Sequence, residues 1–417
     1  MEIRPILSAL LRNKTGPILV ALQVALSLGI LANALHIVDE RRAAAARPSG
    51  LTDESSTFYF QVRNLNSDGP EQMLSTVKRE TEVLRAVPGV ASVAQVSQMP
   101  LSRSGSNNSL AVDQGQERET AVASQYVSGD SLIKTFGLKL VEGRDFLPGE
   151  IVEVNENEQR ELPKQVIVTK ALAEKMWPGA STAIGKQVWF GTGDGALSSQ
   201  VVGVVERLQS AHGEMGERAE FATIVPARVY GRPGNMYAIR TESGQRDRVI
   251  KEAEEALRKS SATPVIMQAK TVEEDRKNRY RADLALSWML ITVSVLLLLV
   301  TSSGIVGMAS LWVTQRRKQI GVRRALGARK LDILRYFILE NFMITSAGVF
   351  GGVLFGLSLN HLLVTKLEMA RLPVHYLVGG AVVFWALGIL AAYGPALARG
   401  QHFAGDRDPQ CLMCLQQ

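Results

Sequence analysis

The chain has 417 residues, of which 46% are hydrophobic and only 6% are aromatic, and its net charge at pH 7 is +7. This length would accommodate two or three soluble domains, but the apolar residues are concentrated in a few long runs, which excludes a purely soluble protein. The positive excess lies outside residues 39–281. The long middle segment therefore lacks the basic surface that is typical of nucleic-acid-binding proteins.

Four runs are long and apolar enough to cross a membrane as helices, because a bilayer core of about 30 Å needs about 20 helical residues. Basic residues are retained on the cytoplasmic side, and they cluster before the first run and between the second and third. The predicted order is a cytoplasmic N-terminus 1–16, span 17–38, outer segment 39–281, span 282–313, cytoplasmic segment 314–336, span 337–364, outer loop 365–375, span 376–397 and cytoplasmic tail 398–417.

The outer segment 39–281 has the patterns of strands and helices. A strand, a helix and a strand follow one another near its start and again near its end, and the middle, about 110–230, reads as short strands with one helix at 169–177. The predicted fold class is a membrane protein with four transmembrane α-helices and a large α+β extracytoplasmic domain between spans 1 and 2. That domain has two lobes, one of βαβ type and one mostly β that is inserted into the first.

The segment 270–288, directly before the second span, is rich in charge and contains no Gly or Pro. This composition predicts that the second transmembrane helix continues outward as a solvated helix. The Ala-rich segment after the first span is predicted to do the same, so that the two extensions form a stalk about 15–20 Å tall. A pair of charged linkers is the alternative.

The sequence contains no recognisable catalytic motif. The nearest phosphate-loop candidate, GASTAIGKQ at 179–187, has Gln187 where a P-loop has Ser or Thr. The five His residues are scattered and none is paired at metal-ligand spacing. We therefore predict no catalytic residue, no metal and no cofactor. The amides Gln23, Asn33 and Asn360 lie within spans, where such side chains usually form hydrogen bonds between helices.

The third span contains GVFGGVLFG, in which Gly348, Gly352 and Gly356 recur at four-residue spacing. Glycine at i, i+4 and i+8 clears one face of a helix, so that another backbone can approach closely. These three residues are the predicted helix-packing positions, within one subunit or between subunits.

The segment 315–336, QRRKQIGVRRALGARKLDILRY, holds eight basic residues and one acidic residue. Retention on the cytoplasmic side explains the charge, but it does not explain the interleaved apolar residues or the two glycines. The pattern predicts a short amphipathic helix at the inner membrane surface, joined at Gly327 to the helix that leads into the third span.

The sequence RRKQIGVRRALGARKLDILRYFILEN resembles the hallmark of MacB/FtsX-type ABC transporter permeases. The segments 77–93, 136–146 and 168–189 are similar to the MacB periplasmic core. The resemblance implies that the segment between spans 2 and 3 contacts an ATPase. Carried over by position, the ATPase-coupling residues are Gln319, Ile320, Gly321, Val322, Arg323, Arg324, Ala325, Leu326, Gly327 and Ala328. Gln319 stands where the family usually has Glu, which removes one potential ion pair with the ATPase.

The resemblance implies a permease subunit of the bacterial inner membrane, with its large domain in the periplasm. ATP hydrolysis by a separate cytoplasmic ABC ATPase subunit would drive conformational change of that domain, termed mechanotransmission, for export of a drug, peptide or similar compound. A lipoprotein- or lipid-extracting permease and an FtsX-like regulator of a cell-wall hydrolase are the alternatives.

The chain itself is expected not to be an enzyme. It would form a homodimer, or a heterodimer with a paralogous permease, in contact with membrane lipid, and no nucleic-acid partner is expected. A periplasmic adaptor and an outer-membrane channel would be further partners of an efflux system. Residues 401–417 differ from the usual ending of the family, and we interpret them as a frameshifted tail.

Overall fold

The computed structural model describes residues 14–64, 69–158, 163–232, 234–261, 264–315, 321–322, 325, 330–367 and 370–402. The chain divides into two compact units. The membrane unit comprises Met1–Arg42 and Leu284–Gln417, and the large domain comprises Ala43–Asp283.

The secondary structure is numbered along the chain. The helices are α1 Thr15–Ala46, α2 Pro70–Arg85, α3 Leu132–Phe136, α4 Lys170–Met176, α5 Arg246–Ser260, α6 Val272–Gln315, α7 Lys330–Leu367 and α8 Val374–His402. The strands are β1 Thr57–Asn64, β2 Val90–Gln95, β3 Asn107–Ala111, β4 Ala121–Ser128, β5 Leu140–Gly143, β6 Val152–Asn155, β7 Gln165–Thr169, β8 Gln187–Phe190, β9 Leu197–Val205, β10 Ala222–Tyr230, β11 Gly234–Thr241 and β12 Val265–Thr271.

Four of these helices, α1, α6, α7 and α8, are long and apolar enough to cross a membrane. Half of the most apolar stretch of α1 is buried within the structure, compared with 17% of that of α6. Helix α1 therefore occupies the centre of the membrane unit, where Val24 and Leu28 are fully buried, and α6 leaves most of its apolar surface uncovered.

The first lobe of the large domain, called the small lobe, is a four-stranded sheet in the order β12-β1-β11-β2 with every neighbouring pair antiparallel. Strands β1 and β2 are thus parallel to each other on either side of β11, and their connection is α2. Strands β11 and β12 are likewise parallel to each other on either side of β1, and their connection is α5. Phe58, Phe60 and Val62 of β1 pack against Leu84 and Val249 of these helices. The βαβ-type lobe predicted from the sequence is confirmed.

Strands β3–β10 form the inserted lobe, an eight-stranded sheet. Its path runs β4-β3-β8-β9-β7-β10, and β4 also pairs with β10, so these six strands form a closed circuit. A core that includes Val166, Val188 and Val225 fills it and packs against Leu172 of α4. The prediction of an inserted, mostly β lobe is confirmed. Both lobes contribute to a second core, in which Tyr59 and Ala238 meet Tyr126 and Phe136.

Candidate functional site

The predicted ATPase-coupling segment lies between α6 and α7. Gly321, Val322 and Ala325 are helical and exposed, and the Val322 side chain is 61% accessible. The other predicted coupling residues lie outside the described residues: Gln319, Ile320, Arg323, Arg324, Leu326, Gly327 and Ala328. The coupling role of the whole segment therefore stays a prediction.

The glycine face of α7 lies directly against α1. A Cβ atom built on Gly348 would lie 2.8 Å from the carbonyl oxygen of Ala21, and one on Gly352 would lie 2.9 Å from the Cβ of Leu28. At Gly356 the nearest atom is the Cα of Gly29, at 3.2 Å. Real Cβ atoms do not approach other atoms closer than about 3 Å without a shift, so the separation of these two helices depends on glycine at the first two positions.

Polar side chains join α1 to its neighbours inside the membrane unit. Gln23 Nε2 donates to the carbonyl oxygen of Val300 at 3.1 Å, and the hydroxyls of Ser27 and Thr301 are 2.7 Å apart. Asn33 Nδ2 donates to the carbonyl oxygen of Gly356 at 3.1 Å. Hydrogen bonds of this kind hold membrane helices in register. They confirm that Gln23 and Asn33 serve helix–helix contacts.

At its other end, α6 is anchored in the large domain by Arg276. The guanidinium donates to the Glu54 carboxylate from Nε at 2.9 Å and from Nη2 at 2.5 Å. It also donates from Nη1 to the carbonyl oxygens of Ala45 and Arg47, at 3.0 and 2.8 Å. Arg276 thus ties α6 both to the end of α1 and to the segment that leads into β1. The planar five-donor guanidinium suits this multiple contact, which the point charge of a lysine would not reproduce.

One turn further along α6, Arg279 and Tyr280 contact the inserted lobe. Arg279 donates to the carbonyl oxygens of His212 and Gly213, both at 2.7 Å. Tyr280 is buried with Leu101, whose backbone has φ +64°, in the left-handed region that L-residues rarely adopt. The first three turns of α6 therefore contact both lobes of the large domain.

Asp275 completes this anchor through the small lobe. Tyr59 of β1 donates its hydroxyl to Asp275 Oδ2 at 2.7 Å. Burial raises the pKa of the Asp275 carboxyl above its ordinary value, against the effect of the Tyr59 hydrogen bond. Burial and the adjacent carboxylate also raise the pKa of the Tyr59 phenol, so the tyrosine remains a neutral donor. Sequence reasoning identified the charged stretch 270–288 but not these partners, because nothing in the sequence pairs Arg276 with Glu54 or Arg279 with two carbonyl groups.

Two family models match the chain. The MacB-like periplasmic core domain matches residues 20–258, and the FtsX-like permease C-terminal domain matches residues 291–399. The first alone covers more than half of the chain. The chain belongs to the MacB/FtsX-type permease family. With its four membrane-crossing helices it is a multi-pass membrane protein.

Individual curated proteins that are similar to this chain are also named as permeases. The macrolide export ATP-binding/permease protein MacB of Nitrosomonas europaea is 27% identical over 58% of this chain and 37% of that protein. The pyoverdine export ATP-binding/permease protein PvdT of Pseudomonas savastanoi pv. phaseolicola is 25% identical over 66% of this chain and 41% of that protein. The chain thus spans well under half the length of these curated relatives. A solved heavy metal efflux pump matches at a TM-score of 0.17 and 13% identity, over 83% of this chain and 36% of that one, which is too low to support an argument.

Within the described ranges, no group of His, Cys, Asp and Glu side chains has the arrangement of a metal site. The candidate site consists of the long helix α6, a glycine contact that sets the spacing of α1 and α7, and arginine anchors in the large domain.

Proposed function

We propose that this chain is the permease subunit of an ABC transporter that converts ATP hydrolysis by a partner ATPase subunit into movement of the large domain, and that the system exports a drug, peptide or similar compound. Membership of the MacB/FtsX-type family supports a transport role. The relatives' names describe export of a macrolide and of pyoverdine. These names favour export over lipoprotein or lipid extraction and over regulation of a cell-wall hydrolase.

The observation that carries the proposal is the continuity of α6. This single helix of 44 residues is about 66 Å long at 1.5 Å per residue. It ends at Gln315, immediately before the basic segment, and it begins at Val272 in the large domain. A helix transmits an axial displacement only if both ends are held, and Arg276 and Arg279 hold the outer end through hydrogen bonds to both lobes.

The inner end would receive force at Gln319–Ala328. In the proposed cycle, ATPase subunits that close on ATP push on this segment, and α6 transmits the displacement to the large domain. The glycine face of α7 keeps that helix in close contact with α1. Two copies, or one copy and a paralogue, would sit on an ATPase dimer in the bacterial inner membrane, with the large domain in the periplasm.

The test is affinity purification of the tagged full chain from membranes of its own host, followed by measurement of ATP turnover in the purified material. We expect an ABC ATPase to co-purify. The double variant Arg323→Glu/Arg324→Glu should reduce both its recovery and its ATP turnover by at least tenfold, since two basic contacts become repulsive.

A matched control is Arg118→Glu/Lys134→Glu, which reverses two exposed charges of the large domain and should leave recovery and turnover unchanged. Absence of an ATPase from the purified material, or equal turnover in the two double variants, would contradict the proposal. Cysteine labelling from each side of the membrane tests the topology independently, at exposed Val322 and at exposed Gln187.

A further inference from the structure

A cleft lies within the large domain between the sheet of the small lobe and the inserted lobe. It consists of two adjoining cavities of about 460 and 390 Å³, which share Ser97, Val127, Val229 and Arg232 in their walls. Each cavity is within the range of about 300–1,000 Å³ that small-molecule sites occupy. Neither is used by the anchors of α6 described above.

The small-lobe wall of the cleft is built from two cross-strand rows. Gln61 of β1 lies opposite Gln268 of β12 and Met236 of β11. Arg63 lies opposite Ile266 and Gly234 in the next row. Directly opposed residues of antiparallel strands project to the same face, and residues two apart on a strand share that face.

This face is opposite to the one that carries Phe58, Phe60 and Val62 against α2 and α5. Among the described residues, no hydrogen bond involves the side chain of Gln61 or Gln268. Their carboxamides are therefore available to a ligand in the cleft.

More carboxamides line the rest of the cleft. On the inserted lobe, Asn108 Nδ2 donates to Gln125 Oε1 at 2.6 Å, and neither Asn108 Oδ1 nor Gln125 Nε2 has a hydrogen-bond partner in the part of the chain that the structure describes. Gln95 is only 6% exposed; its Nε2 donates to the carbonyl oxygen of Val229 at 2.6 Å. Its Oε1 is buried without a partner among the described residues. A buried acceptor without a hydrogen bond costs free energy, so a ligand donor that reached Gln95 Oε1 would bind favourably.

The charges of the cleft nearly cancel. Arg232 Nη2 donates to Glu156 Oε1 at 3.0 Å, so this arginine is neutralised, and Arg63 is the one remaining basic side chain of the described lining. The other lining side chains are mostly aliphatic, with Phe190 as the one aromatic ring among them. Arg63 is exposed, so an ion pair between it and an anionic ligand would contribute little. A sugar would lack aromatic rings on which to stack.

We propose that this cleft is a binding site for an uncharged, amide-bearing aliphatic molecule, such as a short apolar peptide without free termini. A carboxamide both donates and accepts a hydrogen bond, as an amide of the ligand does. The wall therefore complements a chain of amides, and the interspersed valine, methionine and isoleucine side chains cover aliphatic side chains. The proposal concerns binding alone and does not depend on ATP-driven movement of the domain.

The test uses the full chain in detergent without an ATPase or ATP. The probe is N-acetyl-trileucine amide with a photoreactive diazirine on its central leucine side chain. Binding is measured by calorimetry, and the site is located by photocrosslinking and mass spectrometry. We expect labelled peptides from the segments around Val96, Val127 and Val229. A matched probe with ester oxygens in place of two amide N–H groups should bind about 3- to 10-fold more weakly for each hydrogen bond that is lost.

Variants of the cleft then separate specific binding from partition of an apolar probe into detergent. Gln61→Leu and Gln268→Leu should each weaken binding of the amide probe about 3- to 10-fold and should reduce the difference between the two probes. Gly234→Leu should abolish binding, because a side chain there would project into the cleft. The control is Gln187→Leu, an exposed strand residue outside the cleft, which should bind as the unaltered chain does.

Two results would overturn the proposal: labelling confined to the membrane helices, or equal affinity for the amide and ester probes. If Gly234→Leu does not fold, Gln61→Leu still decides, because Gln61 makes no side-chain hydrogen bond to a described residue. Failure of this test would leave the ATPase proposal intact, and failure of the ATPase proposal would leave probe binding intact.

Discussion

Arg276 Nη2 lies 2.5 Å from Glu54 Oε1, and both side chains are only 22% exposed. Ser49 also donates to this carboxylate oxygen at 2.5 Å. Burial alone would raise the pKa of the Glu54 carboxyl, but the hydrogen bonds from Arg276 and Ser49 outweigh it and hold that pKa below its ordinary value. The Glu54 carboxylate is therefore stabilised in its charged form, and the pair joins the start of the small lobe to α6.

Removal of this guanidinium is expected to destabilise the large domain. Arg276→Met leaves a largely buried carboxylate without its ion partner and two carbonyl groups without their donor. We expect the free energy of unfolding to fall by about 2–4 kcal/mol, measured as a lower midpoint of thermal unfolding of the full chain in detergent. Because Glu54 has a lowered pKa, the stabilisation in the unaltered chain is present above pH 4.5 and is lost as the pH falls through the folded-state pKa. Arg276→Met should not show this loss of stability at low pH.

Two comparisons check the cause. Arg258→Met breaks an exposed pair with Glu254 at 2.8 Å and should cost less than about 0.5 kcal/mol. The double variant Glu54→Gln/Arg276→Met should recover part of the loss, since no charge is then buried. An equal effect of Arg276→Met and Arg258→Met would contradict the anchoring role.

A buried carboxyl on α2 should make stability fall with rising pH. Glu80 is 2% exposed and accepts a hydrogen bond from the Tyr237 hydroxyl at 2.5 Å. Burial raises the pKa of Glu80, and the Tyr237 hydrogen bond opposes this only partly. The folded state therefore holds its proton more tightly than the unfolded state, so the contribution of Glu80 to stability is largest below pH 4.5 and decreases as the pH rises through the raised pKa.

Glu80→Gln removes this titration and keeps an acceptor for Tyr237. We expect the variant to be more stable than the unaltered chain at pH 7 and to show a smaller decline in the unfolding midpoint between pH 4.5 and 7. Glu82→Gln, two residues along the same helix and exposed, serves as the control and should show no gain in stability at pH 7. A steeper decline of the unfolding midpoint in Glu80→Gln would contradict a raised pKa of Glu80.

The sequence predicts the parts of this fold that follow from local periodicity. The four long apolar helices and the two strand–helix–strand units have strong patterns, and the four small-lobe strands lie near the start and the end of the outer segment, as predicted. The sequence does not predict strands β3 to β6 individually. NNSLA of β3 has little apolar alternation, VEVN of β6 is only four residues long, and both form strands through pairing with distant partners.

The anchors of α6 were beyond sequence reasoning for a related reason. Arg276 and Glu54 are more than 200 positions apart, and an arginine that donates to backbone carbonyl groups leaves no pattern in its partner's sequence. The glycine spacing in α7 is the opposite case. Its period is local, so the helix face without side chains follows from the sequence, although the partner helix α1 does not.

The glycine face should not tolerate even one added carbon atom. In Gly348→Ala the new Cβ would lie 2.8 Å from the Ala21 carbonyl oxygen and from the Val24 Cβ, so α1 and α7 would have to separate. We expect a loss of about 1–3 kcal/mol, as for overpacking of a close interface, seen as a lower unfolding midpoint in detergent. Gly351→Ala is the matched control, because its Cβ would make an ordinary contact of 3.4 Å with Ala25. Equal midpoints for the two variants would contradict the close packing.

Leu101 and Arg103 have the same backbone conformation in different surroundings, with φ angles of +64° and +62°. The left-handed region costs an L-residue about 1–2 kcal/mol, and glycine avoids that cost but gains freedom in the unfolded chain. Arg103 is exposed, and its amide donates to the Ala211 carbonyl oxygen at 2.8 Å, a bond that glycine keeps. Arg103→Gly should therefore raise the free energy of unfolding by up to about 1 kcal/mol.

Leu101→Gly relieves the same backbone strain but removes a fully buried side chain that contacts Ala44 and Tyr280. The lost burial and the cavity that remains should outweigh the relief, so we expect a net decrease of about 2–3 kcal/mol. The pair is measured as unfolding midpoints of the full chain, with opposite signs expected. A decrease of similar size in both variants would mean that the loop, and not the buried leucine, sets the stability at the point where the inserted lobe meets α6.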